Sequence, residues 1–167
     1  MPSPGHLALV TGLVSASYFT FGNLAAANFG VMPAIARGNT TLSVTQKVSL
    51  WKFFYDTAKK HMASSGLISA VAISIAAYHS PERSPRNLLI TGAASAFVVL
   101  PLTLLFLMPV NNELADMLKS AKLRPMNSIE ETRALDLLDR WSRLHWIRIF
   151  FGAIAWSIAL KQLANPS

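Results

Sequence analysis

The sequence predicts an all-α integral membrane protein, a bundle of four transmembrane helices. Three observations carry that prediction. First, 52% of the 167 residues are hydrophobic and only 14% are charged, against about 25% charged in soluble domains; the mean hydropathy is +0.38. Second, four long apolar stretches alternate with short polar turns. Third, the basic residues gather in alternate connections, which is how membrane proteins distribute Lys and Arg.

Helix one is expected over about 7–36. Gly22, Ala26 and Gly30 recur four apart in it, a spacing that lets a second helix approach closely. Asn23 and Asn28 lie within the span, where an amide is costly unless bonded or turned to a polar cavity. Pro33 falls near its end, and Gly38-Asn39-Thr40-Thr41 reads as a loop. Ser43 with Gln46 forms a capping box, so helix two is expected over 43–79, amphipathic to His61 and apolar from Met62. The double-prolined turn Ser80–Pro85 forces a hairpin. Helix three is expected over 86–122, with kinks at Pro101 and Pro109 where backbone donors are missing. Ser128 with Glu131 reads as a second capping box, opening helix four over 128–163.

Helices two and four are each roughly 36 residues, or about 54 Å, while a bilayer core is only about 30 Å thick. Both are therefore expected to extend beyond the bilayer on one side. Connections 1–2 and 3–4, with their helical extensions, hold 12 of the 15 basic residues; Arg83, Arg86 and Lys161 are the other 3. The basic side is expected to be cytosolic, both termini opposite, in the endoplasmic reticulum or a related endomembrane. The whole chain reads as one domain. The N-terminus lacks a positive region and its apolar run is too long for a cleaved signal, so helix one is expected to be retained.

The absence of cysteine excludes disulfides, Cys-ligated zinc, iron–sulfur clusters and thiol redox chemistry. The net charge of +7 is accounted for by the one-sided distribution of Lys and Arg, and no soluble basic module points to nucleic acid. No phosphate-binding Gly-rich loop, HExxH, Ser-His-Asp order or nucleotide fingerprint is present.

The most informative segment is Trp141–Arg148. Trp141, His145 and Arg148 fall at i, i+4 and i+7, on one helix face, and Gly152 continues the stripe. That face lies where the charged and apolar halves of helix four meet. It suits a cavity open to ligand; the alternative is an interfacial Trp belt with a snorkelling Arg. Asn111 and Asn112 follow Pro109, close in depth to His145. Either they cap carbonyls freed by the proline or one of them donates into the cavity. On helix two, Trp51, Tyr55, Lys59 and Met62 share a face, and Lys52, Asp56 and Lys60 read as ion pairs on a solvated face. Asn23 is a further candidate for the cavity. His61 and His145 are the only pair placed to hold a haem or metal, and no acidic cluster supports them. His6 and His79 read as interfacial.

Several of these features together resemble the fungal membrane anthrone oxygenase family. They are a small-residue helix ending at Pro33, Trp51 and Tyr55 on helix two, Met108-Pro109-Val110-Asn111-Asn112-Glu113-Leu114, and the Trp141/His145/Arg148 face. The resemblance covers nearly the whole chain and is sharpest at Asn111-Asn112 and on that face. It implies oxidation of an anthrone to an anthraquinone in aromatic polyketide biosynthesis, with O2 as co-substrate and no metal or flavin. On that reading His145 is the base, and Arg148 or Asn111 stabilises the oxyanion. Trp141, Tyr55, Trp51, Asn112 and Asn23 bind substrate. The expected partners are a hydrophobic aromatic small molecule and membrane lipid. The alternatives are a cyclase or isomerase on the same scaffold, or a non-enzymatic membrane adaptor or carrier.

Overall fold

The computed structural model describes residues 1–165. Six α-helices follow one another: α1 (Pro4–Asn28), α2 (Val31–Ile35), α3 (Val44–His79), α4 (Arg83–Leu102), α5 (Met108–Ala121) and α6 (Ser128–Ala164). A π-helical turn, Thr103–Leu107, joins α4 to α5. In membrane terms these make four spans long and apolar enough to cross: Pro4–Ile35, Val44–His79, Arg83–Ala121 and Ser128–Ala164. The protein is an integral membrane four-helix bundle. Neighbours around it are α1 with α3, α3 with α4, α4 with α6, and α6 with α1.

The first span is not one helix. It begins at Pro4, capped by Ser3 Oγ, which accepts from the His6 amide at 3.2 Å, and it breaks at Phe29 and Gly30 before restarting at Val31. The restart places Pro33 in the first turn of α2, where its missing N–H leaves no intrahelical bond unmade. The chain then turns through Gly38, whose φ of +79° is one that side-chain-bearing residues rarely adopt. Lys47, buried near the start of α3, donates from Nζ to the Ala36 carbonyl at the end of α2.

Ser43 and Gln46 form the expected capping box. At the start of α6 the box lies one residue earlier than the sequence suggests: Asn127 caps and Glu130 reaches back to it. The third span also differs from a doubly kinked helix. Pro109 cannot donate to Leu105, and Met108 donates to the Thr103 carbonyl five residues back. The helix widens locally instead of breaking, the usual anatomy of a π-bulge.

The close approaches lie elsewhere than expected. Gly22 faces α3, but a Cβ there would meet the flexible end of Met62, at 2.9 Å. Gly30 faces its own chain, with Ala26 Cα 2.8 Å from a Cβ. Tight contacts include Gly12, where a Cβ would stand 2.8 Å from Ile73 Cγ1 and 3.3 Å from its amide nitrogen, and Gly152, where one would stand 2.8 Å from the Phe19 ring and 2.9 Å from Thr20 Oγ1. These bring α1 against α3 and against α6.

Candidate active site

Because Gly152 has no side chain, α6 packs close to α1 one turn beyond Arg148. That contact brings the polar stripe of α6 onto the middle of α1. His145 is buried, and its Nε2 lies 3.3 Å from the Asn23 carbonyl oxygen. A carbonyl only accepts, so Nε2–H is the donor, and in the neutral ring the lone pair is left on Nδ1. Nδ1 is buried with no protein partner. The Asn23 amide donates to the Phe19 carbonyl at 2.6 Å and to Met62 Sδ at 3.3 Å, so the residue that anchors His145 is itself fixed to α1 and α3. The Trp141 ring sits 4.9 Å from the His145 ring, tilted by 33°.

Arg148 does not snorkel. Its Cζ lies 5.5 Å from the centroid of the Phe19 ring, its Nε is buried without a partner, and it has no ion-pair partner among the described residues. Asp136 and Asp139, the nearest acids along α6, bind Arg37 instead, at 2.7 and 3.5 Å. The tryptophan that faces outward is Trp146.

Opposite this wall stand α3 and the third span. Tyr55 stacks on Trp51 at 5.5 Å with an interplanar angle of 9°, and its hydroxyl meets only the Met108 sulfur, at 3.8 Å. Asn111 is buried, and its Oδ1 has no partner. The π turn presents Thr103, Leu104 and Leu107 to the same space.

Between these walls lies a cavity of about 240 Å³. Its surface is mostly apolar. His145, Arg148, Asn111, Trp141, Tyr55 and Asn23 all border it. Among the described residues seven buried side-chain polar atoms have no partner, and four of them belong to residues of this wall: Asn111, Trp141, His145 and Arg148. Buried polar atoms are normally paired, and this wall gathers four that are free to meet whatever fills the cavity.

Three candidate residues from the sequence do not reach the cavity. Asn112 is exposed, turned away from Asn111 by the helical step of one residue. Trp51 is fully buried behind Tyr55 and makes an edge contact with Trp141 at 6.5 Å; it supports the wall without forming it. His61 is exposed and does not border the cavity. Sequence reasoning missed Phe19, Thr103 and Met108. Phe19 lies one turn before Asn23, so the helical period alone places it on the same face. Thr103 and Met108 bracket a π turn, for which Pro109 is the sole local signal.

The anthrone oxygenase family model matches residues 51–158, nearly two thirds of the chain. The chain belongs to the anthrone oxygenase family. The matched stretch holds Tyr55, Asn111, Trp141, His145 and Arg148, while Phe19 and Asn23 precede it. Anthrone oxygenase encC of Aspergillus fumigatus is 28% identical over 97 residues, which cover 57% of this chain and 54% of that relative. The chain thus spans about half the length of the curated relative it matches. No solved structure matches it.

Proposed function

We propose that the protein is a membrane oxygenase that converts an anthrone-like aromatic polyketide to an anthraquinone with O2, using the acidity of the substrate instead of a redox cofactor. The observation that supports this most is the meeting of His145, Arg148 and Asn111 on the wall of one apolar cavity in a chain of this family.

The chemistry runs as follows. The methylene of an anthrone is flanked by two aryl rings and conjugated to a ketone. His145 takes one of its protons at Nδ1, and Arg148 with the Asn111 amide stabilises the enolate oxygen. The enolate passes one electron to O2, and the resulting carbon radical and superoxide combine into a C–O bond. Protonation by His145 gives a hydroperoxide. Loss of the second methylene proton expels hydroxide from the O–O bond and leaves a carbonyl, and the hydroxide takes up a proton to become water. One oxygen of O2 ends in the quinone and the other in water, so electrons balance without an external reductant. Trp141 and Tyr55 offer the ring system aromatic surfaces.

The test is turnover of the purified protein with an emodin anthrone-type substrate under labelled O2. One labelled oxygen per quinone, with O2 consumed one-to-one, is expected. Turnover at the same rate without O2 would replace the oxygenase with a cyclase or isomerase. We further propose that the basic ends of α3 and α6 face the cytosol. Tags on both termini should then resist protease in sealed, cytosol-side-out microsomes, and their rapid loss would reverse the orientation.

A further inference from the structure

The cavity wall carries two cations, Arg148 and Lys59, and among its lining residues there is no carboxylate. Arg148 belongs to the buried side, against Phe19. Lys59 belongs to the rim: it is exposed, its ammonium lies over the Tyr55 ring, 5.2 Å from the centroid, and both residues line the cavity. Its own counter-ion is shared. Asp56 pairs with Lys59 at 2.7 Å and also with Lys52 one turn earlier. Two ammonium groups thus divide one carboxylate, and the rim keeps an excess positive charge.

The reacting ketone accounts for Arg148, and nothing in that chemistry uses Lys59. From this asymmetry we infer that Lys59 is a specificity residue, selecting ring systems with an ionised acidic substituent, a carboxylate or a phenolate, at the end away from the reacting ketone. This rests on the proposed reading of the cavity as an aromatic-ligand site. A bound anion would take Lys59 from Asp56 and leave Asp56 with Lys52. It would meet a cation already held at the cavity rim. A neutral ligand would leave the rim charge unanswered. An exposed pair is screened, but a charge-assisted hydrogen bond is stronger than a neutral one. The preference for the anion is therefore expected to be about three- to tenfold.

The experiment uses the full chain in detergent micelles and needs no turnover. Binding of three anthraquinones that share one ring skeleton is followed by quenching of tryptophan fluorescence: a carboxylic acid, its methyl ester, and a phenol free of carboxyl. Each is measured at a pH below and a pH above the phenol's ionisation. The parent protein is expected to bind the acid about three- to tenfold more tightly than the ester, and the phenol more tightly once ionised. In Lys59→Met the acid-to-ester ratio should fall to about one, while Lys59→Arg should retain it. Equal affinities in the parent, or a ratio that survives in Lys59→Met, would overturn the inference. Oxygen uptake in parallel assays decides the proposed reaction separately. Selective binding without uptake would reject the oxygenase and keep Lys59; uptake without selectivity would do the reverse.

Discussion

On the basic side of the cavity the core is made of large side chains: Ile35, Trp51, Leu114, Leu138 and Trp141 are all buried there. On the other side it is made of small ones, Ala70, Ala76, Ala77, Ala93, Ala96, Ala155 and Ala159, with Leu9, Ile73 and Leu89 among them. The surfaces differ in the opposite sense. Among the described residues all seven ion pairs lie in the basic half, including Arg133 with Glu113 at 2.7 Å and the Arg37 pairs to α6. The other half exposes Leu67, Ile68, Val71, Ile75, Phe97 and Val98. The first half is packed as a water-soluble bundle is, by removing large apolar groups from water. The second is surrounded by lipid as apolar as its own interior, so it gains little by burying leucine and instead gains by bringing backbones close.

The cavity occupies the seam between these two regimes. Large-residue packing spaces the helices apart, small-residue packing draws them together, and α3 and α6 pass through both. Gly152 and Gly66 stand on the tight side of the seam, with Trp141 and Phe54 on the wide side. A pocket where the spacing changes is dry on its lipid side and polar at its rim. Proton abstraction from a weakly acidic carbon benefits from such a place, because fixed donors act more strongly where water is excluded.

Three substitutions test this division, and the seam gives the largest effect. His145→Ala is expected to lower turnover by roughly 10²–10⁴, the usual loss of a general base, with the protein still expressed and folded. Raising the pH should restore part of the rate, because the anthrone then ionises in solution without help. Undiminished turnover in His145→Ala at neutral pH would move the base elsewhere, with Tyr55 the next group on the wall.

Much of the seam was legible in the sequence, for a simple reason. A helix fixes which residues share a face, so Trp141, His145 and Arg148 had to point together, and the apolar-to-charged switch along α6 fixed their depth. The same rule assigns only one of two adjacent asparagines to a face, and it does not say which. Asn111 lines the cavity and Asn112 is exposed because the partner helix, not the local pattern, chooses. Glycine spacing carries a similar ambiguity. Gly22, Ala26 and Gly30 have the regular interval, yet tight contacts fall at Gly12 and Gly152, because small size permits an approach without specifying where the neighbour crosses. Trp51 was placed correctly on its helix face and one layer too far forward, a question of depth that periodicity does not address. The π turn was illegible because its cause is a bond moved from four residues back to five, for which a proline is only a hint.

The second test removes bulk from the basic half. Leu138 is buried in its core, and Leu138→Ala should cost about 2–5 kcal/mol, the transfer term plus the cavity left behind. Thermal unfolding in detergent checks it. A change of only a few tenths of a kcal/mol would mean that this half is not held by large-residue packing after all.

The third and smallest effect comes from adding bulk to the apolar half. At Gly12 even a Cβ would stand 2.8 Å from Ile73 Cγ1 and 3.3 Å from the Ile73 amide nitrogen. The side-chain atom can give by rotating, but the backbone nitrogen belongs to the hydrogen-bonded interior of α3 and moves only if the helix moves. Gly12→Leu should therefore force α1 and α3 apart at their crossing, an overpacking cost of about 1–3 kcal/mol. Gly22→Leu is the control. It meets only the flexible end of Met62, so the close-packing argument requires it to be milder than Gly12→Leu. Both variants are compared by thermal unfolding in the same detergent. If Gly22→Leu proves the more damaging, the crossing of α1 and α3 lies nearer the cavity than Gly12, and the boundary between the two packing regimes moves with it.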